Sequence, residues 1–293
     1  MKSFRHLTLG ALTLVTLATA VGCGQSASIN APGLTGMRSA QPAVSVSGVK
    51  RTLGYDWVRF QKKYAGKIKP RKMRQGFRAS KMDLRQHDAP VYDQGELDAC
   101  TAFAMGKGMR EHMARKNGER VVPLSALFMY YETRKALGSI NEDSGGTITD
   151  GMAVMKKVGV AEEQTWAYDI AKFKIKPPKA AYSEAKEFKV KETIPLGSLN
   201  DVKQMLAEGN PVAFGYIVYD SFTKIGASGK MPMPKAGEKT LGGHAVVAVG
   251  YDDQKKHLIV RNSWGSKWAD DGYFYMPYEF VTPDNTADFW AAK

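Results

Sequence analysis

Gly242-Gly243-His244-Ala245-Val246-Val247-Ala248-Val249-Gly250, answered at 261–265 by Arg261-Asn262-Ser263-Trp264-Gly265, is the stretch that decides the fold. Ala245 to Gly250 is short, continuous and apolar, the pattern of a strand buried on both faces. A histidine at its start is held at the edge of a rigid element. Asp252-Asp253 supplies turn residues and Leu258 to Arg261 reads as the returning strand. A hairpin through that turn brings Asn262 beside His244. A histidine acting as a base needs a partner to fix its tautomer and ring plane. Asn262 is the candidate, with Trp264 placed to cover the bond from water.

Outward from this hairpin, Val212 to Val218 and Gly272 to Met276 also read as strands. Upstream the texture is helical. Cys100 to Lys116 has Phe103, Met109 and Met113 on one side and stops at Asn117-Gly118. Ser125 caps a helix through Ala136 that ends at Gly138. Thr147 or Thr149 opens another, closed by Gly159, and Asp201 to Glu208 reads as a fourth with Ser198 or Asn200 as cap. Helices followed by strands predict an α+β domain of two lobes, over residues 81–293.

Cys100 stands at the start of its helix, where free N–H groups favour an anion. A thiol attacks a carbonyl well only as thiolate, so it needs a base. Of the five histidines, His6 lies in an N-terminal apolar segment. His112 is twelve residues along the same helix, roughly 18 Å away at 1.5 Å per residue. His87 and His257 have polar surroundings and no supporting motif. His244 remains. Gln94, six residues before Cys100, offers a side-chain amide that with the Cys100 backbone N–H makes an oxyanion hole.

Tyr92-Asp93-Gln94-Gly95, Cys100, Gly242-Gly243-His244-Ala245 and Asn262-Ser263-Trp264-Gly265 together resemble the papain-like cysteine peptidases in order and spacing. His244 falls 144 residues after Cys100, within the ~130–150 expected; Asn262 falls 162 after it, a little beyond. Met82-Asp83-Leu84-Arg85, Thr101-Ala102 and Asp288-Phe289-Trp290 are similar to the bacterial, xylellain-like branch. The resemblance covers roughly 80–293. It implies a two-lobed papain-like fold, with a helical N-terminal lobe, an antiparallel sheet or barrel-like C-terminal lobe and the active site in the cleft between them. It implies hydrolysis of peptide bonds in a peptide or protein substrate, by Cys100, His244 and Asn262 with Gln94. No cofactor or metal is expected. By the same similarity Gly145-Gly146 presents backbone to the substrate's second residue upstream of the cut, and Gly243 and Trp264 contact substrate.

Leu97-Asp98-Ala99-Cys100-Thr101 departs from the family's Cys-Gly-Ser-Cys-Trp. Asp98 is expected at the rim of the pocket for the residue before the cut, favouring Lys or Arg there. If its backbone needs positive φ, Asp fits less well than Gly, and its charge raises the thiol pKa. Three rival readings remain: another acyl-transfer enzyme on the same fold (a cell-wall amidase, transpeptidase or deamidase), a non-catalytic peptide-binding domain, and an envelope adhesin or docking protein working through residues 50–81.

The chain has 293 residues, 43% of them hydrophobic, and two cysteines, which excludes a disulfide-built module. Lys2, Arg5 and the apolar run Leu7 to Ala20 make residues 1–22 a secretory signal, too short to span a membrane. Ala18-Thr19-Ala20 fits ordinary cleavage, giving a soluble exported protein. Ala20-Val21-Gly22-Cys23 resembles a bacterial lipobox, giving a chain lipidated on Cys23 and attached to a membrane. Export to the cell envelope or beyond follows either way, and the oligomeric state is not legible. Residues 23–49, rich in Ser, Ala, Gly and Pro, read as a flexible tether. The net charge of +13 is concentrated in one segment: residues 50–81 hold twelve Lys/Arg and a single acid, Asp56. The main domain is near neutral, which argues against a nucleic-acid partner. Within this basic segment, Leu53, Trp57, Phe60 and Tyr64 recur at helical spacing. Residues 50–80 are therefore a helix packed on the domain, a pro-segment over the cleft, or a helix docking on an anionic membrane.

Overall fold

The computed structural model describes residues 43–46, 48–74, 76 and 78–293. The signal segment, most of the tether and Cys23 lie outside the described residues. The chain enters through a small hairpin, β1 (Val44–Val46) and β2 (Val49–Arg51), then an extended stretch and helix α1 (Trp57–Lys63). Strand β3 (Lys81–Asp83) follows. The central helix opens as α2 (Cys100–Ala102), passes through π-helical turns Phe103–Arg110 and closes as α3 (Glu111–Asn117) at left-handed Gly118. Helices α4 (Ala126–Leu137), α5 (Ile148–Lys157) and α6 (Lys179–Ala185) complete the helical lobe. Then come β4 (Thr193–Pro195), α7 (Leu199–Ala207), β5 (Val212–Tyr219), β6 (Thr240–Asp252), β7 (His257–Arg261), β8 (Tyr273–Pro277) and β9 (Thr286–Ala292). The sheet runs β4-β9-β5-β6-β7-β8 with β3 also on β6, all antiparallel. This is the two-lobed α+β arrangement expected.

The cap at Ser125 is made as expected, and of Thr147 and Thr149 it is Thr147 that caps its helix, each side-chain oxygen accepting from an N–H three residues on. The fourth helix begins earlier than expected. Ser198 accepts from the Asp201 N–H, so α7 starts at Leu199. The helical periodicity from Leu53 is only partly realised. Asp56 accepts from the Arg59 N–H and caps α1 there, leaving Leu53 in the extended stretch. Strand β9 escapes the sequence pattern because a bulge opposite β5 and a left-handed Asp288 (φ 60°) break its alternation.

Ala245 to Val249 are each at most 1% exposed, with helices on one face and β5 and β7 as neighbours. Burial on both faces explains the uninterrupted apolar run. Gly108 lets the central helix come close to β6: a Cβ there would stand 2.8 Å from a Val247 methyl. That approach sets the helix that begins at Cys100 against the strand that carries His244.

Candidate active site

Asn262 follows β7 directly, and its Oδ1 accepts from the Ser263 backbone N–H at 2.8 Å, which identifies that atom as the oxygen. His244 Nε2 stands 2.8 Å from the same oxygen. An amide oxygen only accepts, so Nε2 carries the proton and Nδ1 is the basic nitrogen. Nδ1 is buried and has no hydrogen-bond partner. The Trp264 ring lies over the imidazole at 4.9 Å and 30°, backed by Phe222 and Trp268, while Tyr216 meets the imidazole edge-on. Burial pushes His244 down to about 4, only partly opposed by the Asn262 bond.

Cys100 is fully buried at the N-terminus of its helix. Burial pushes its thiol up to about 12; the N–H of Ala245 opposes this, the charge of Asp98 adds to it, and the N–H groups of Gly54 and Thr101 oppose it. The Ala245 contact places the sulfur beside the residue that follows the base. Gln94 joins them from a loop zipped to the 262–265 loop: Gln94 N–H donates to Ser263 O at 2.9 Å and Gly265 N–H to Tyr92 O at 3.0 Å. The Gln94 Oε1 accepts from Ser263 Oγ at 2.6 Å, which leaves its amide to donate to Leu97 O at 3.0 Å and Thr52 Oγ1 at 3.5 Å. His112 is held by Asp88 at 2.7 Å and His257 rests on Tyr275, both outside this cluster.

Thr52 belongs to a stretch for which the sequence left three readings open, one of them a pro-segment over the cleft. Residues 52–56 run through the cleft as an extended strap. Tyr55 N–H donates to Gly243 O at 3.0 Å, Gly146 N–H to Gly54 O at 2.9 Å and Asp56 N–H to Gly146 O at 2.9 Å. The strap is parallel to both walls. Gly146 and Gly243 bond to the chain's own backbone here, while the Gly145 N–H donates to the Tyr130 hydroxyl at 3.1 Å. Gly54 is obligatory, since a Cβ would stand 2.0 Å from the Asp98 carbonyl oxygen. The signal was a lone glycine between Leu53 and Tyr55, absorbed into an apparent helix.

Asp98 is corrected in one respect. It is 4% exposed, under the strap rather than at an open rim. Its backbone is not left-handed, so the expected strain is absent. Its N–H donates to both Asp143 oxygens, at 3.1 and 3.3 Å, while its own Oδ1 is buried without a partner. Burial pushes Asp98 up to about 7, Asp143's charge adds to this, and the Thr52 hydroxyl opposes it. Among the described residues no cluster of three or more His, Cys, Asp or Glu could hold a metal. No described helix is long and apolar enough to cross a membrane.

Residues 78–283 match the family model described as papain family cysteine protease. An uncharacterized peptidase C1-like protein of Acanthamoeba polyphaga mimivirus is 41% identical over 210 residues, 68% of each chain. Mouse (Mus musculus) pro-cathepsin H is 28% identical over 209 residues, 67% of this chain and 60% of that protein. Among solved structures, xylellain, a cysteine protease from Xylella fastidiosa, superposes with a TM-score of 0.70 at 34% identity, covering 77% of this chain and 90% of that one.

Proposed function

Because this chain belongs to the papain family of cysteine proteases, we propose that it is a cysteine peptidase held closed by its own strap, with Cys100 as nucleophile and His244 as base. The carrying observation is the His244–Asn262 bond, which leaves Nδ1 as the basic nitrogen, buried and without a hydrogen-bond partner. The thiolate adds to the peptide carbonyl, and the Gln94 amide with the Cys100 N–H binds the oxyanion. The imidazolium gives its proton to the leaving amine, then the imidazole activates water to release the acyl group.

The strap inhibits in two ways on this reading. It occupies the substrate's backbone partners, and it dries the site. Burial is the leading cause of both the raised thiol and the lowered imidazole, so the closed pair stays neutral. Removing the strap readmits water and restores the thiolate–imidazolium pair. It also uncovers Asp98 and Asp143, which favour Lys or Arg before the cut. Residues 50–80 thus act as a pro-segment, and Cys23 as a lipid anchor; palmitate incorporation that survives Cys23→Ala would remove the anchor from this scheme.

The test is alkylation by a peptidyl epoxide, with Cys100 and Cys23 separated by peptide mapping. Cys100 of a strap-opened variant should label at least about a hundredfold faster than the same variant carrying His244→Ala. Equal rates would defeat the triad. Hydrolysis of peptidoglycan fragments without hydrolysis of unfolded protein would favour an amidase.

A further inference from the structure

Arg261 ends β7 and precedes Asn262 in the chain, yet its side chain serves a different segment. It is 4% exposed. Nη1 donates to the Ala89 carbonyl at 2.6 Å and to the Tyr273 hydroxyl at 3.0 Å, and Nη2 to the Pro90 carbonyl at 2.9 Å. A planar, forked guanidinium holds two successive carbonyls in fixed geometry, which a point-like ammonium does not.

Asp88 supplies the buried countercharge. Its Oδ2 lies 3.7 Å from Arg261 Nη1 and accepts from the Tyr273 hydroxyl at 2.8 Å, while its Oδ1 meets His112 Nδ1 at 2.7 Å. A buried charge left without partners is strongly destabilising. The end of β7, β8 and the central helix that begins at Cys100 are thereby joined at one point.

What the fork holds is the approach to Gln94. Among the described residues, Ala89, Pro90 and Val91 have no backbone-to-backbone hydrogen bond. Two bonds from Arg261 fix their carbonyls, and Val91 packs on Gly272, where a Cβ would stand 2.6 Å from its own. Asn262 has separate supports: its N–H donates to the Gly272 carbonyl at 3.0 Å, and its side-chain oxygen accepts from the Ser263 N–H. Loss of the guanidinium therefore loosens 89–91 first.

We propose that Arg261 is a positioning residue that acts on the reaction through Gln94, by setting the path of 89–91 so that the side-chain amide stands where the oxyanion forms. This deepens the peptidase reading and rests on it. An error of about 1 Å in such a group costs on the order of a hundredfold in rate.

The test uses the full chain opened by Gly54→Val, whose added side chain meets the Asp98 carbonyl, assayed on one peptide substrate. Arg261→Met should lower kcat at least about tenfold with KM little changed, because the oxyanion develops only beyond the ground state. Arg261→Lys should restore part of that loss. Added to Gln94→Ala, Arg261→Met should cost nothing further, since both remove the same donor. Losses that multiply would overturn the proposal and assign Arg261 to the fold or to Asn262. A second readout needs no catalysis: hydrogen exchange, followed by mass spectrometry, on the chain with its strap intact. Arg261→Met, or Arg261→Lys if the former does not fold, should speed exchange over Tyr92 to Gly95 about tenfold and leave Ala245 to Val249 unchanged. Equal acceleration in both stretches, or none in the first, would sink the idea. If the opened chain cuts no peptide, the peptidase reading fails and the exchange data still decide whether Arg261 places Gln94.

Discussion

The Tyr55 amide donates to the Gly243 carbonyl over 3.0 Å, so the residue beside the base is already hydrogen-bonded to the chain's own N-terminal segment. Together with the two bonds to Gly146, this is strand addition performed within one molecule. A tethered occupant competes at an effective concentration of about millimolar when its linker is short. On the proposed reading, peptide substrates meet a filled site, and turnover depends on how readily the strap gives way.

Gly54→Val should open the strap. Its Cβ has no room beside the Asp98 carbonyl, and the added side chain lies outside the catalytic set. Alkylation of Cys100 by iodoacetamide should rise at least about tenfold, since overpacking of this kind costs about 1–3 kcal/mol. An unchanged rate would mean that the strap does not control access.

In a strap-opened background, His244→Ala should lower kcat/KM by about a thousandfold, as expected for loss of a general base. Asn262→Ala should lower it less, by roughly ten- to a hundredfold, because the imidazole remains but loses its fixed tautomer. A larger effect at Asn262 than at His244 would contradict the assigned order of roles.

Asp98 offers a pH signature. Its folded value, about 7, lies above the unfolded value of about 3.9, so folding takes up a proton between them. Its contribution is most favourable below about pH 4 and is lost as the pH rises through about 7. Asp98→Asn removes that loss. The variant should melt higher than wild type at pH 8, by roughly 2–4 °C per kcal/mol relieved, with the gap closing by pH 4. A difference independent of pH would show that the carboxyl carries no such penalty.

Gly108→Ala should destabilise the chain by about 1–3 kcal/mol, because the added methyl meets Val247 at 2.8 Å on the strand bearing His244. Urea unfolding measures it. A neutral substitution would show that the helix and strand can separate freely.

The β6–β7 hairpin was legible because a doubly buried strand leaves an unbroken apolar run, and because His244 and Asn262 flank it at fixed offsets. The helix caps at Ser125 and Thr147 were legible because capping is local. The strap was not. Leu53, Trp57, Phe60 and Tyr64 carry a helical period, yet Asp56 caps the helix midway and Leu53 falls outside it. The strap's bonds go to Gly146 and Gly243, about ninety and nearly two hundred residues away in sequence, and no local pattern encodes such pairing.

The loop that carries Gln94 and the loop that carries Asn262 and Trp264 are stitched by backbone bonds at both ends, Gln94 to Ser263 and Gly265 to Tyr92. The proposed donor for the oxyanion and the proposed orienter of the base are thus one mechanical part, assembled from sequence segments far apart. Because these bonds run backbone to backbone, a change in the path of either loop displaces both side chains at once, whereas a change of side chains alone leaves the seam in place.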